Sequence, residues 1–183
     1  MSTLRTPRRP TPEGGRAVMI TLAALLLATG CGVRPTGVLD GGDPAGGLTK
    51  GMRLYFVSPT GRLEAVPRPD IEPSKAGDPA GVIKLLGGGM SDAERAAGLT
   101  SEVPGRTYAE TDKEGRVSVI IPYEALDPSS VDDRNLMGQL VCSIARGQAV
   151  AEEDGTRRTD DIPVRVAALD REFTSYVCSD FLK

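Results

Sequence analysis

Residues 32–51, GVRPTGVLDGGDPAGGLTKG, hold seven glycines and two prolines. Such a stretch offers few apolar side chains to bury against a large loss of backbone freedom, so it is expected to be a flexible tether. Any packed domain must then be built from residues 52–183, enough chain for one real core. The same break separates that domain from everything upstream.

Upstream, residues 1–16 carry Arg5, Arg8, Arg9 and Arg16 against Glu13, and Ala17–Ala28 is an uncharged apolar run of 12 residues. A bilayer span needs ~20 residues, so the run is too short to cross. It fits the apolar region of a signal peptide, ~7–15 residues long behind a positive flank. The run ends Leu27-Ala28-Thr29-Gly30-Cys31, which resembles the lipobox of bacterial lipoproteins, with Ala28 where the pattern prefers leucine. The resemblance implies cleavage before Cys31 and fatty acylation of the palmitate class on that cysteine. Two acyl chains anchor stably at ~0.8 kcal/mol per buried CH₂, where one binds only marginally. The alternative, a buried helix with an incidental cysteine, is disfavoured by the positive flank and the short run.

On this reading residues 1–30 are a signal peptide, 31–51 a lipidated cysteine with its tether, and 52–183 the domain. The mature chain has 153 residues and a net charge of −6, against −3 for the whole sequence. That acidity argues against nucleic acid and against adhesion to anionic head groups, leaving the lipid as the membrane contact. The expected location is the extracytoplasmic face of the cell membrane.

Histidine and tryptophan are absent. Ser-His-Asp and Cys-His catalysis and histidine-liganded zinc are thereby excluded. Carboxylate chemistry stays formally open at Glu110 or Glu124, although each is more simply a solvated residue. Glu152, Glu153, Asp154, Asp160 and Asp161 crowd one loop but lack the alternating ligand spacing of a calcium site. The glycines Gly87, Gly88 and Gly89 lack the Gly-Lys-Ser/Thr of a phosphate loop and are read as a helix end. No metal, cofactor or catalytic residue is expected.

With Cys31 lipidated, Cys142 and Cys178 remain, and outside the cytoplasm an even remainder favours a disulfide. Two separate buried thiols are the other reading.

Within the domain, Arg53–Ser58 and Leu63–Val66 read as a hairpin around Pro59-Thr60-Gly61. Asp78 before Pro79 starts a helix ending near Leu86. Ser91 and Glu94 form a capping box. Two strands follow, near Thr107–Thr111 and Arg116–Ile121, the second with Val117, Val119 and Ile121 on a core face and Ser118 and Ile120 opposite. A helix over 130–146 presents Leu136, Met137, Leu140, Val141 and Ile144 as one stripe, with Gly147 after its last turn. Cys142 lies almost opposite that stripe, on the side of Asn135 and Gln139, so the carboxy-terminal segment is expected on the helix's outer flank. Ile162–Ala168 and Phe173–Ser179 complete a ββαββαββ order, the second strand bearing Cys178. The expected class is α+β, with one mostly antiparallel sheet and two helices on one face.

The sequence "CGVRPTG", the strand "MRLYFVSPTGRLEAVPRP", the helix "DPAGVIKLLGGG" leading to "SDAERAAGLTSEVP", and "VSVIIP" and "LMGQLVC" together resemble lipoproteins carrying the sporulation and germination (GerMN) domain, frequent in Gram-positive bacteria with GC-rich genomes. The resemblance spans roughly residues 31–145. It implies a compact domain like the ring-building domains of envelope assemblies, with no catalytic residues to carry over. Two functional readings follow: a non-catalytic module that binds an envelope protein or itself, or a binder of wall polysaccharide or a small ligand. Sugar stacking would need exposed aromatics, drawn from Tyr55, Phe56, Tyr108, Tyr123, Phe173, Tyr176 and Phe181. An exposed aromatic cleft would favour the ligand reading, whereas a flat apolar edge points to protein association.

Overall fold

The structure, a computed structural model, describes residues 51–152, 156–169 and 172–182. The signal segment, Cys31, the tether to residue 50, Glu153, Asp154, Asp170 and Arg171 lie outside the described residues. The class is α+β, and the order of the principal elements follows the expected one. Strands β1 (Met52–Val57) and β2 (Leu63–Arg68) form an antiparallel hairpin. Helices α1 (Pro73–Ala76), α2 (Pro79–Gly88) and α3 (Asp92–Ala96) follow, then β3 (Tyr108–Thr111) and β4 (Val117–Ile121). Helix α4 (Val131–Ala151) leads to β5 (Val164–Ala168) and β6 (Thr174–Tyr176).

Local chemistry sets several of these boundaries. The Asp78 carboxylate accepts the N–H groups of Ala80 and Gly81, two donors with no partner inside α2. Ser91 Oγ accepts the Glu94 N–H and Glu94 accepts the Ser91 N–H, the reciprocal bonds of a capping box. At the tip between β3 and β4, Asp112 Oδ1 accepts the N–H groups of Glu114 and Arg116 while Gly115 takes φ +78°.

Several expectations need correction. There are two sheets, β1-β2 and β3-β4-β5-β6, because β1 turns its second edge to α4 and to Thr100 instead of a third full strand. The larger sheet is mixed: β4 and β5 run parallel, which the intervening α4 crossover permits. Helix α4 does not stop before Gly147. It continues to Ala151, and Gly147 serves packing, since a Cβ there would strike the Ala76 carbonyl of α1. Cys178 lies outside the last strand, in a 3-10 turn over Cys178–Asp180.

The central correction concerns the helix flank. Every residue from Leu136 to Ala145 is buried, including Gln139, Cys142 and Ser143 at 0 % exposure. Helix α4 has no solvent side over these turns because it packs on both β5 and β1. Its apolar stripe joins Leu54, Phe56, Val82, Leu86, Val119 and Val166 in the main core. Its polar side is consumed by backbone: Ser143 Oγ accepts the Tyr55 N–H at 2.9 Å, and Gln139 Nε2 donates to the Tyr55 carbonyl at 3.0 Å. Gln139 Oε1 also accepts the Glu102 N–H at 2.8 Å. One turn further, Arg146 Nε and Nη2 donate to the Gly51 carbonyl at 2.9 and 2.7 Å. The Val57–Thr100 bridge occupies the next edge position of β1. An edge so occupied is no template for another strand.

Candidate functional site: the outer face of the four-stranded sheet

Alternation along the four-stranded sheet sends Val117, Val119, Ile121, Val164 and Val166 into the core. The opposite face follows from the register. Tyr108 lies beside Ile120, and Ile120 beside Ala167. Extending the Val166–Thr174 pairing by one residue puts Phe173 beside Ala167. One row therefore runs Tyr108, Ile120, Ala167, Phe173 across all four strands. The neighbouring row is Glu110, Ser118, Arg165, Ser175.

Among the described residues no helix packs on this face, since α2 and α4 both contribute to the core on the other side. Only its margins are open, Tyr108 at 47 % and Phe173 at 44 % exposure, whereas Ile120 is half-buried and the central Ala167 and Ser118 are buried, at 4 % and 8 %. Tyr123 and Leu169 extend the apolar area beyond the carboxyl ends of β4 and β5, and the Leu169 N–H donates to the Tyr123 carbonyl at 2.9 Å. The described residues hold two other exposed large hydrophobics, Val131 and Leu182, which line a separate depression with Leu63 and Phe181.

Charge on the face is arranged around Arg165. Its guanidinium lies 5.5 Å from the Phe173 ring centre and donates to Asp112 Oδ2 at 3.4 Å. That oxygen already accepts from Arg116 Nε at 2.7 Å. The Arg116 N–H on the Asp112 carboxylate, with the guanidinium beside it, holds Asp112 below the usual aspartate range. Arg165 Nε is buried without a hydrogen-bond partner.

Three pockets are also present among the described residues, the first sharing Ala167 with the row. One of about 390 Å³, at the carboxyl ends of the parallel pair, is lined by Leu126, Met137, Ala168, Glu172, Thr174 and Tyr176 among others. A broader trough of about 780 Å³ runs along α1 and α2, past Ile71, Gly81, Leu85 and Gly88. The third, about 410 Å³, combines Tyr55, Arg146, Arg157, Arg158 and Asp160 beside Cys178. Burial raises the Tyr55 hydroxyl above its ordinary range against the opposing pull of Arg53 and Arg146, and burial lowers Arg146. The charges there are engaged: Arg157 meets Glu152 at 2.7 Å, Arg158 meets Asp161 at 3.1 Å, and Asp160 accepts the Ser179 N–H at 2.9 Å.

The candidate residues read from the sequence separate clearly. Cys142 and Cys178 come together at disulfide distance, Sγ–Sγ 2.00 Å, packed against Tyr55 with both cysteines almost fully buried. Cys31 lies outside the described residues. Glu110 stands on the open sheet face, Glu124 is an exposed residue after β4, and neither lines the three pockets. The described residues contain no group of three carboxylates or cysteines able to hold a metal. None of their helices is long and apolar enough to cross a membrane. Of the seven aromatics considered for stacking, Tyr55, Phe56 and Phe181 are buried, leaving Tyr108, Tyr123 and Phe173 at the surface and Tyr176 between. The two-row face itself was missed, although the split of Ser118 and Ile120 from the valines of β4 was its signal. Comparison with protein-family profiles, curated proteins and solved structures yields no match.

Proposed function

We propose that this chain is a lipid-anchored, extracytoplasmic envelope protein whose domain is a non-catalytic protein-interaction module. The observation that carries the reading is the pair of exposed aromatics Tyr108 and Phe173, at the two ends of the row Tyr108, Ile120, Ala167, Phe173, on the face of the sheet turned away from the core. Exposed aromatics at the margins of a sheet fit contact with a protein surface. Cys31 behind an apolar run, followed by a Gly-rich tether, supports attachment by lipid. The resemblance to GerMN-domain lipoproteins agrees with a domain that assembles and does not catalyse.

A small-ligand reading has one observation in its favour, the pocket of about 390 Å³ beside Met137, where Glu172, Thr174 and Tyr176 offer polar groups. Ala167, a member of the aromatic row, is among the residues lining this pocket.

The anchor is tested by the intact mass of protein extracted from native membranes. The expected species begins at Cys31 and carries acyl mass, and Cys31→Ser protein leaves the membrane fraction. The module is tested by mild-detergent extraction of wild type and Phe173→Asp. Wild type is expected to migrate in a discrete complex that the variant loses, and identical migration of the two as monomers contradicts the reading.

A further inference from the structure

We infer that a second binding site lies at the start of α4, a depression of about 440 Å³ that takes a peptide segment of a partner protein in which a carboxylate stands beside an apolar side chain. The depression shares no lining residue with the outer sheet face, so it goes beyond the reading of that face and does not depend on it.

One side of the site is a stripe of helix. Val131, Arg134 and Asn135 line it, at the i, i+3, i+4 spacing of a shared helix face, and Gly138 continues the stripe one turn on. Gly138 is the reason two other segments come so close, since a Cβ there would lie 2.5 Å from Leu63 Cδ1 and 2.9 Å from Phe181 Cβ. The tip of the β1–β2 hairpin therefore forms one wall and residues 181–182 the other. Both walls are tied to the helix. Asn135 Nδ2 donates to the Gly61 carbonyl at 3.1 Å, while Arg134 donates to the Asp180 carbonyl and lies 5.4 Å from the Phe181 ring centre. A cleft held in this way is formed before anything enters it, which lowers the ordering cost of binding.

Two chemistries meet there. Val131 is 63 % exposed and Leu182 47 %, the first more open than either aromatic of the sheet face. The charged groups of the lining are Arg62 and Arg134, both positive, in a chain whose net charge is −3. Neither meets a carboxylate among the described residues: the Arg62 guanidinium makes no hydrogen bond or ion pair, and Arg134 bonds a neutral carbonyl. The acids close by in sequence do not line the site. Asp133 accepts the Asp127 N–H at 2.8 Å, and Asp180 accepts the Val177 N–H at 2.9 Å. An anion is thus the complement the site lacks, and the exposed valine and leucine set an apolar group beside it.

The shape selects a chain over a bilayer. A concave site between two walls admits an extended segment and excludes a flat lipid surface, and a chain of net negative charge is repelled by anionic head groups.

The test uses the full chain in nanodiscs of phosphatidylcholine, with three dye-labelled pentapeptides that alternate leucine with glutamate, glutamine or lysine. Fluorescence anisotropy is expected to show the glutamate peptide binding at least ~10-fold more tightly than the other two, with an affinity that falls as salt is raised. Arg62→Glu removes no side-chain hydrogen bond or ion pair of the described residues. It is expected to weaken the glutamate peptide at least ~5-fold, as turning an exposed ion pair into a like-charge contact does. Leu182→Ser is expected to weaken all three peptides at least ~3-fold, and Phe173→Asp to leave every affinity unchanged. Three equal affinities, an Arg62→Glu chain that binds like wild type, or no binding of the glutamate peptide at millimolar concentration overturns the site. Binding that Phe173→Asp abolishes and Arg62→Glu spares overturns this site and leaves the interaction reading of the sheet face standing. Sedimentation with phosphatidylglycerol vesicles that Arg62→Glu abolishes, in a chain that binds no peptide, assigns the depression to the membrane and overturns the peptide.

Discussion

Ser143 Oγ accepts the backbone N–H of Tyr55 at 2.9 Å, a contact between a buried helix and the open edge of a strand 88 residues away in sequence. With Gln139 on the Tyr55 carbonyl, it converts the edge of β1 into an internal surface. Gln139 satisfies two backbone groups at once, the Tyr55 carbonyl and the Glu102 N–H, at 0 % exposure. Replacing it by leucine strands both, at ~1–3 kcal/mol for each unpaired buried group. Gln139→Leu is expected to lower unfolding free energy by ~2–5 kcal/mol in urea titration, despite the more apolar side chain.

Cys142 and Cys178 close a separation of 36 residues. The chain-entropy view assigns such a closure about 3–4 kcal/mol. Cys142→Ala is expected to lower the unfolding free energy by that amount in denaturant titration. Because both cysteines are almost wholly buried, reductant should act on wild type only as fast as the domain opens. A thiol-labelling time course that matches the unfolding rate checks this.

Two glycines on helices should respond in opposite directions. A Cβ on Gly87 meets nothing within 4 Å, so Gly87→Ala should gain ~0.5–1 kcal/mol from reduced backbone entropy. On Gly147 the same atom collides with the Ala76 carbonyl, and displacing α1 should cost ~1–3 kcal/mol, outweighing the helix-propensity gain. Thermal melts of the two variants decide it.

Arg68 ties β2 to α3 through a two-pronged contact with Glu94, at 2.7 and 2.9 Å, and lies 5.5 Å from the Phe56 ring centre. The Arg68 hydrogen bonds hold the Glu94 carboxyl below the usual glutamate range, assisted by the Ser91 N–H. A lowered folded-state value means that the unfolded chain binds the proton first. The stabilisation is thus complete above the ordinary glutamate range, near pH 4.5, and is lost as pH falls through the lowered value. Wild type is expected to lose more stability than Glu94→Gln between about pH 5 and pH 2. Denaturant midpoints across that interval check the sign.

Much of the local structure was legible in the chain. Asp78-Pro79, the Ser91–Glu94 pair and the alternation of β4 each have a mechanism confined to a few residues, and the structure places each as read. Pairings between distant segments were not legible: nothing local distinguishes a parallel β4–β5 contact from an antiparallel one, or attaches β1 to α4 and Thr100. The burial of Cys142 did leave a trace. Residues 135–145 contain no charge, which suits a helix covered on all sides better than one with a wet flank. Gln139 and Ser143 read as surface residues because their partners are backbone atoms of a remote strand. The outer sheet face was half visible, in Ser118 and Ile120, but Tyr108 and Phe173 join it only once the strand order is known.

The proposal that the sheet face bearing Tyr108 and Phe173 is where this protein meets another protein is tested most directly by photo-crosslinking in intact cells. A benzoylphenylalanine replaces Phe173 in one strain and the exposed Lys113, at the β3–β4 tip, in another. The account predicts a discrete protein adduct from position 173 and none of that size from position 113. Adducts of equal yield from both positions, or none from position 173 in membranes that contain the protein, would contradict it.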